Sequence, residues 1–298
     1  PGAMTIYDIA KEGTRALVAT GAGWWGVQAG RADRSVESTL DLFGRSFLVG
    51  LSADGKWALL NEGRAAGKGL YLRSSDGSQT IRLSDDDYGL GLSPDGRWAL
   101  TSRTSDPAHL FLIPSGPGEP QQLDLDPALR PRGYARGSRD GREIFMALGP
   151  VSGSTDTVRI YRLDPPKSWR TVTPPGVANA FAVSPDGRSI AALDRAGRLT
   201  LYPVDGGEPR TFADERGIPI QWSSDGATLY LATKGPFRAR IYGRDLASGR
   251  VESWGEIGPP DPVGVNAIGD LFFSGDCLSY VYSYARALGV LYLVEGLK

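Results

Sequence analysis

An all-β ring of seven four-stranded antiparallel blades, a seven-bladed β-propeller, is the fold class this sequence predicts. Three observations predict it: a turn phrase that returns seven times, apolar strands on both sides of that phrase, and a chain dense in turn residues. Ser52-Ala53-Asp54-Gly55 returns as Ser93-Pro94-Asp95-Gly96, Ser138-Arg139-Asp140-Gly141, Ser184-Pro185-Asp186-Gly187 and Ser223-Ser224-Asp225-Gly226. Degenerate copies stand near each end, Ala10-Lys11-Glu12-Gly13 and Ser274-Gly275-Asp276-Cys277. The fourth positions lie 42, 41, 45, 46, 39 and 51 residues apart. A period of roughly 40–45 residues, each holding four short strands, is the spacing of propeller blades.

Each unit reads in the same order. An apolar inner strand comes first, as in Tyr88-Gly89-Leu90-Gly91-Leu92. The Ser-x-Asp-Gly turn follows: proline fixes φ at its second position, and glycine takes the left-handed conformation that closes a hairpin. A second apolar strand leaves the turn, as in Trp98-Ala99-Leu100-Thr101. A third carries Leu70-Tyr71-Leu72, Leu110-Phe111-Leu112, Ile160-Tyr161, Leu201-Tyr202, Ile241-Tyr242 or Leu291-Tyr292. Acid–glycine turns such as Asp76-Gly77, Asp205-Gly206 and Glu295-Gly296 come next, before a more polar rim strand such as Gln79-Thr80-Ile81-Arg82-Leu83. The units fall at residues 1–45, 46–86, 87–128, 129–176, 177–215, 216–258 and 259–298 of a single domain. The last stops after its third strand, which leaves ring closure to an open ring or to an upstream strand missing from this chain.

Composition narrows the function classes. Glycine (40) and proline (21) make up about a fifth of the chain, yet 41% is hydrophobic, enough for a large core. Charges balance at 33 basic and 34 acidic residues, without the basic excess of a nucleic-acid binder. No apolar run approaches the roughly 20 residues that span a bilayer, so no direct membrane insertion is expected. Pro1-Gly2-Ala3-Met4 leads straight into mixed sequence without a visible signal peptide, as expected of a processed product or an excised domain. Cys277 and His109 are the sole members of their types, which removes internal disulfides, multi-cysteine metal sites and most acid–base sets.

The candidates for chemistry are few. Gly21-Ala22-Gly23-Trp24-Trp25-Gly26 has the spacing of a dinucleotide-binding loop, but no helical period follows. Its glycines are expected to turn the first unit from its second strand to its third. His109 reads as a loop histidine, and Cys277, at the glycine position of the seventh turn, has no neighbouring cation to activate it. The repeated Asp54, Asp95, Asp140, Asp186 and Asp225 read as turn-stabilising groups, one per unit, rather than acids or metal ligands. Asp85, Asp86 and Asp87 lie between a rim strand and the next inner strand, either as a cation-collecting cluster or as a solvated charge run. Loops of that kind surround one mouth of a propeller's channel. Asp86, Asp87 and Tyr88 would meet Arg132 and Tyr134, with Arg130 beside them, then Arg216, then Lys234 and Arg238, with Phe237 and Arg240 on the same loop. Convergence there would receive a protein, a peptide or a small polar ligand, and inter-blade salt bridges are the alternative. No catalytic residue, metal site or cofactor is assigned, and a monomer is expected.

Gly91-Leu92-Ser93-Pro94-Asp95-Gly96-Arg97, Val183-Ser184-Pro185-Asp186-Gly187-Arg188 and Gln221-Trp222-Ser223-Ser224-Asp225-Gly226 resemble the hallmark of WD-repeat-like propellers of the TolB type. That resemblance covers nearly the whole chain and implies a fold rather than an activity. Leu278-Ser279-Tyr280-Val281-Tyr282-Ser283-Tyr284 and the segment from Leu291 to Lys298 are similar to the C-terminal ends of bacterial proteins that join a Ser/Thr protein kinase to a propeller. Thr5-Ile6-Tyr7-Asp8-Ile9-Ala10 resembles an internal blade of such proteins. The kinase motifs themselves are absent from this sequence. The resemblance implies a non-catalytic, extracytoplasmic sensor or interaction domain, with the propeller cap of a prolyl-oligopeptidase-type peptidase or a free-standing TolB-like periplasmic adaptor as alternatives.

Overall fold

The computed structural model describes residues 3–33, 37–63, 69–103, 105–106, 109–153, 155–177 and 180–296. Every regular element among them is a β-strand, and the strands form six antiparallel sheets. Five are four-stranded meanders built from consecutive strands, at 46–84, 87–124, 129–171, 181–211 and 218–257; we call them blades 1 to 5. The sixth, blade 6, combines both ends of the chain. Its inner strand is Val265–Phe273 and its second is the long Ser279–Glu295. Arg15–Arg31 pairs with that second strand in unbroken register from Arg15↔Glu295 to Arg31↔Ser279. Glu37–Thr39 then pairs with Gln28–Gly30 as the rim.

The architecture is therefore the expected propeller of four-stranded antiparallel blades, but seven sequence units fold into six sheets. The first unit makes no blade of its own. Its Ala10–Gly13 phrase is the tip of a hairpin between Ala3–Ile9 and the start of Arg15–Arg31, with Gly13 at φ 72°. Its later strands complete the last unit, so the ring is neither open nor closed by a strand missing from this chain: Arg15–Arg31 closes it. The Gly21–Gly26 segment is not a turn either: it runs straight through the middle of Arg15–Arg31. Gly26 and Gly30 lie opposite Tyr284 and Tyr280. A Cβ at either glycine would strike the partner's ring, so these glycines make room for tyrosines.

The other six phrases each join an inner to a second strand with one hydrogen-bond scheme. The serine hydroxyl donates to the aspartate Oδ1 at 2.6 Å in all six. It also accepts the backbone N–H five residues on at 2.9 Å, from Trp57 in the first to Ser279 in the last. The same Oδ1 caps the amide after the glycine position, as at Lys56 and Arg188. Serine bonding holds the Asp140, Asp186 and Asp276 carboxyls below the usual carboxylate range. These aspartates hold turns, as expected from their spacing.

Apolar alternation buries residues between adjacent blades. Leu48, Leu60, Phe272 and Val281 pack with Val27, Ala29 and Leu40 of the closing strands. Each fully buried aliphatic side chain contributes about 1.5–3 kcal/mol, so the closing segment is an integral part of the core. Beyond the blade, 288–295 continues outward, paired among the described residues only with Arg15–Arg31, and carries exposed Leu291 and Leu293.

Candidate functional site: the two mouths of the channel

In such a meander the Asp-Gly turns open on one end of the channel, the turn face. Connections between blades, and loops between second and third strands, open on the other, the loop face. All eight sequence candidates belong to loop-face segments, and the structure brings some of them together.

Tyr134 and Lys234 meet around Asp270 at the loop-face mouth. The Tyr134 hydroxyl donates to Asp270 Oδ2 at 2.7 Å, reaching from the inner strand of blade 3 to that of blade 6. Asp270 is anchored in turn, its backbone N–H donating to Ser283 Oγ at 2.8 Å. Burial, then the Asp270 charge, pushes the Tyr134 hydroxyl well above its usual range, so it remains a donor. Two residues on, the Arg136 guanidinium stacks 4.3 Å from the centroid of Phe272, also on blade 6. In a six-bladed ring, blades 3 and 6 face each other. Tyr134–Asp270 and Arg136–Phe272 thus form two rungs of a clamp across the channel, separating the loop-face mouth from the turn-face mouth.

Tyr88 lies near enough to Tyr134 to act on its hydroxyl, but the other candidates do not converge. Asp87 is buried inside blade 2, paired with Arg103 at 2.8 Å and accepting from Ser84 Oγ at 2.5 Å. Asp85 pairs with Arg82, while Asp86 is exposed. The three-aspartate run therefore splits, and no metal-holding group of His, Cys, Asp or Glu occurs among the described residues. Arg132 turns back onto the Pro150 carbonyl at 2.5 Å and Asp156 at 3.6 Å within its own blade. Arg216 donates to the Ala213 carbonyl at 2.7 Å. Arg238 is exposed on the 235–238 turn, its carbonyl accepting the Gly235 N–H. Tyr88 is half-exposed at the face itself. In these cases the contacts are local, within a blade or its connecting segment, rather than salt bridges between blades.

His109 opens the third strand of blade 2 and hydrogen-bonds Asp106 through Nδ1 at 2.7 Å. Its neighbour Pro107 lies outside the described residues. Cys277 takes φ 60° in the glycine position of its turn, and burial pushes its thiol up to about 12, leaving it inert.

Arg136 and Asp270 escaped the sequence reading because both sit on inner strands rather than loops. A signal was present for Arg136. Two positions before the turn serine, the blades carry Gly50, Gly91, Arg136, Ala182, Gln221 and Phe272. Three are small because neighbouring strands approach closely; a Cβ at Gly91 would meet the Ala135 carbonyl oxygen at 2.7 Å. One alone is a cation.

An all-β propeller of four-stranded antiparallel blades is the class this fold defines. Among solved structures, the chain matches a putative TolB from Agrobacterium tumefaciens (TM-score 0.61, 19% identity, 90% of this chain and 100% of that one). It also matches TolB from Acinetobacter baumannii (0.56, 14%, 90% and 66%). The oligogalacturonate lyase of Vibrio parahaemolyticus is similar as well (0.55, 13%, 93% and 76%). At these identities the likeness is one of fold. No family model and no curated protein sequence matches the chain.

Proposed function

We propose that this chain is a non-catalytic binding propeller that takes a protein or peptide partner on its loop face. In the finer form of this reading it is the extracytoplasmic sensor or interaction domain of a bacterial signalling kinase. The observation that carries the binding reading is the set of exposed apolar side chains on that face. Phe43, Tyr88, Val151, Phe237 and Val263 are 42–62% exposed there, Tyr88 at the start of an inner strand and the others on connections into or within a blade. Lys234 and the Tyr134–Asp270 pair stand at the mouth on the same face. Aromatic anchors beside a few charged groups are the composition of a binding hot spot.

The TolB-like fold fits a binding role and equally a free-standing adaptor, while the end segments support the kinase version. The cap reading is less well supported, because a cap that passes substrate needs an open channel and the clamp crosses it. Replacing Tyr88 and Phe237 together with alanine is expected to weaken capture of an envelope partner by about tenfold or more, with thermal unfolding unchanged. Undiminished capture contradicts the reading. For the finer version, the complete reading frame is the test: a kinase segment and membrane span support it, and a hydrolase domain in their place rejects it.

A further inference from the structure

On the far side of the clamp, the turn-face mouth is a funnel of about 340 Å³ lined from all six blades, within the roughly 300–1,000 Å³ of small-molecule sites. Leu51, Leu92, Val183 and Phe273 make much of its wall apolar. Trp222 belongs to the same wall; it is 4% exposed, and its indole N–H has no acceptor. Arg136 forms the floor and also borders the smaller loop-face pocket that holds Tyr134, Lys234 and Asp270. Apart from its stack on Phe272, its guanidinium makes no hydrogen bond or ion pair with any described residue. The nearby Asp270 is engaged by Tyr134. The carboxylate lining the funnel, Asp276, is already bound by Ser274 Oγ at 2.6 Å and the Leu278 N–H at 3.0 Å. Arg139, exposed at the rim, adds a second positive charge.

We propose that this funnel binds a carboxylate carried on an apolar stem, with the Arg136 guanidinium as its anchor. A planar guanidinium fork matches a carboxylate in a bidentate pair, and such charge-assisted bonds are the strong ones. Desolvation lowers Arg136 to about 10, against the opposing charges of Asp270 and Tyr134, while no carboxylate among the described residues bonds its guanidinium directly. The apolar wall suits the stem. A phosphate would call for several converging donors, whereas this floor offers one guanidinium. The funnel opens on the opposite face from the Lys234 mouth, with Arg136 bordering both, and its apolar wall is separate from that mouth.

Two sources share this chemistry, a free organic acid and the C-terminus of a peptide. The test is a titration of the isotope-labelled chain with hexanoate, hexanamide, and an acetylated Ala-Leu dipeptide as free acid and as amide. The Arg136 Nε–Hε resonance is the readout. Saturable shifts with hexanoate or the free-acid peptide are expected, and at least about tenfold weaker effects with the amides. Tighter binding of the free-acid peptide assigns the source to a chain terminus, and tighter binding of hexanoate to a small acid. Arg136→Gln is expected to lose acid binding by about tenfold or more with an unchanged melting curve. Should that variant not fold, Arg136→Lys keeps the charge, loses the fork, and is expected to show an intermediate loss. Equal binding of acids and amides, no saturable acid binding, or undiminished binding by the folded variants would overturn the proposal.

Discussion

At Ser138 a single hydroxyl donates to Asp140 and accepts the Glu143 amide, and five other turns repeat the scheme. Ser138 is 5% exposed, so alanine there strands a buried N–H. The expected loss is about 1–3 kcal/mol of stability, read from denaturant unfolding; an unchanged midpoint would show that the turn is held otherwise. The partner carboxyls carry a pH dependence with a definite sign. Serine bonding lowers Asp140, Asp186 and Asp276 in the folded chain, so their contribution is complete above the unfolded carboxylate range. It disappears as pH falls through the lowered folded values. The melting temperature should hold level down to about pH 5 and drop below about pH 4, and a profile that rises on acidification contradicts this. Cys277, with its thiol near 12, should resist iodoacetamide at mildly alkaline pH until the chain unfolds. Rapid native labelling, followed by mass spectrometry, would refute its burial.

Within the closing sheet, Gly26 and Gly30 show a second use of glycine, distinct from the turns. Each accommodates a tyrosine ring on the facing strand. Gly30→Val should overpack against the buried Tyr280 and cost roughly 1–3 kcal/mol. Shortening the ring by Tyr280→Ala in the double variant should recover part of that cost. A strictly additive double variant would mean that the two residues do not compete for space. The strand periodicity and turn chemistry of blades 1 to 5 were legible in the sequence because each is written consecutively. The Gly21–Gly26 segment was misread because glycine signals a turn far more often than a cross-strand seat for an aromatic ring. Arg136 was legible only on comparing blades position by position, and Asp270 only from the fold, since its partner Tyr134 lies 136 residues away.

Across the whole molecule, the repeat count exceeds the blade count because two incomplete units, one at each end, share a sheet. Sequence could give the number of turns, but pairing between the two ends is non-local and carries no local signature. That closure has functional weight. Opposed placement of blades 3 and 6 produces the clamp, and the clamp divides the channel into two mouths of different chemistry. The central claim is therefore the six-bladed ring closed by Arg15–Arg31. Ala29 and Val281 lie in register across that closure. Antiparallel partners sit about 4.5–5.5 Å apart at Cα, within the roughly 4.4–6.8 Å that a disulfide spans. The most direct measurement is mass spectrometry of an oxidised Ala29→Cys, Val281→Cys chain in a Cys277→Gly background. Six blades closed this way predict a near-complete intramolecular crosslink in a folded protein. A folded chain with both thiols left free would contradict the account.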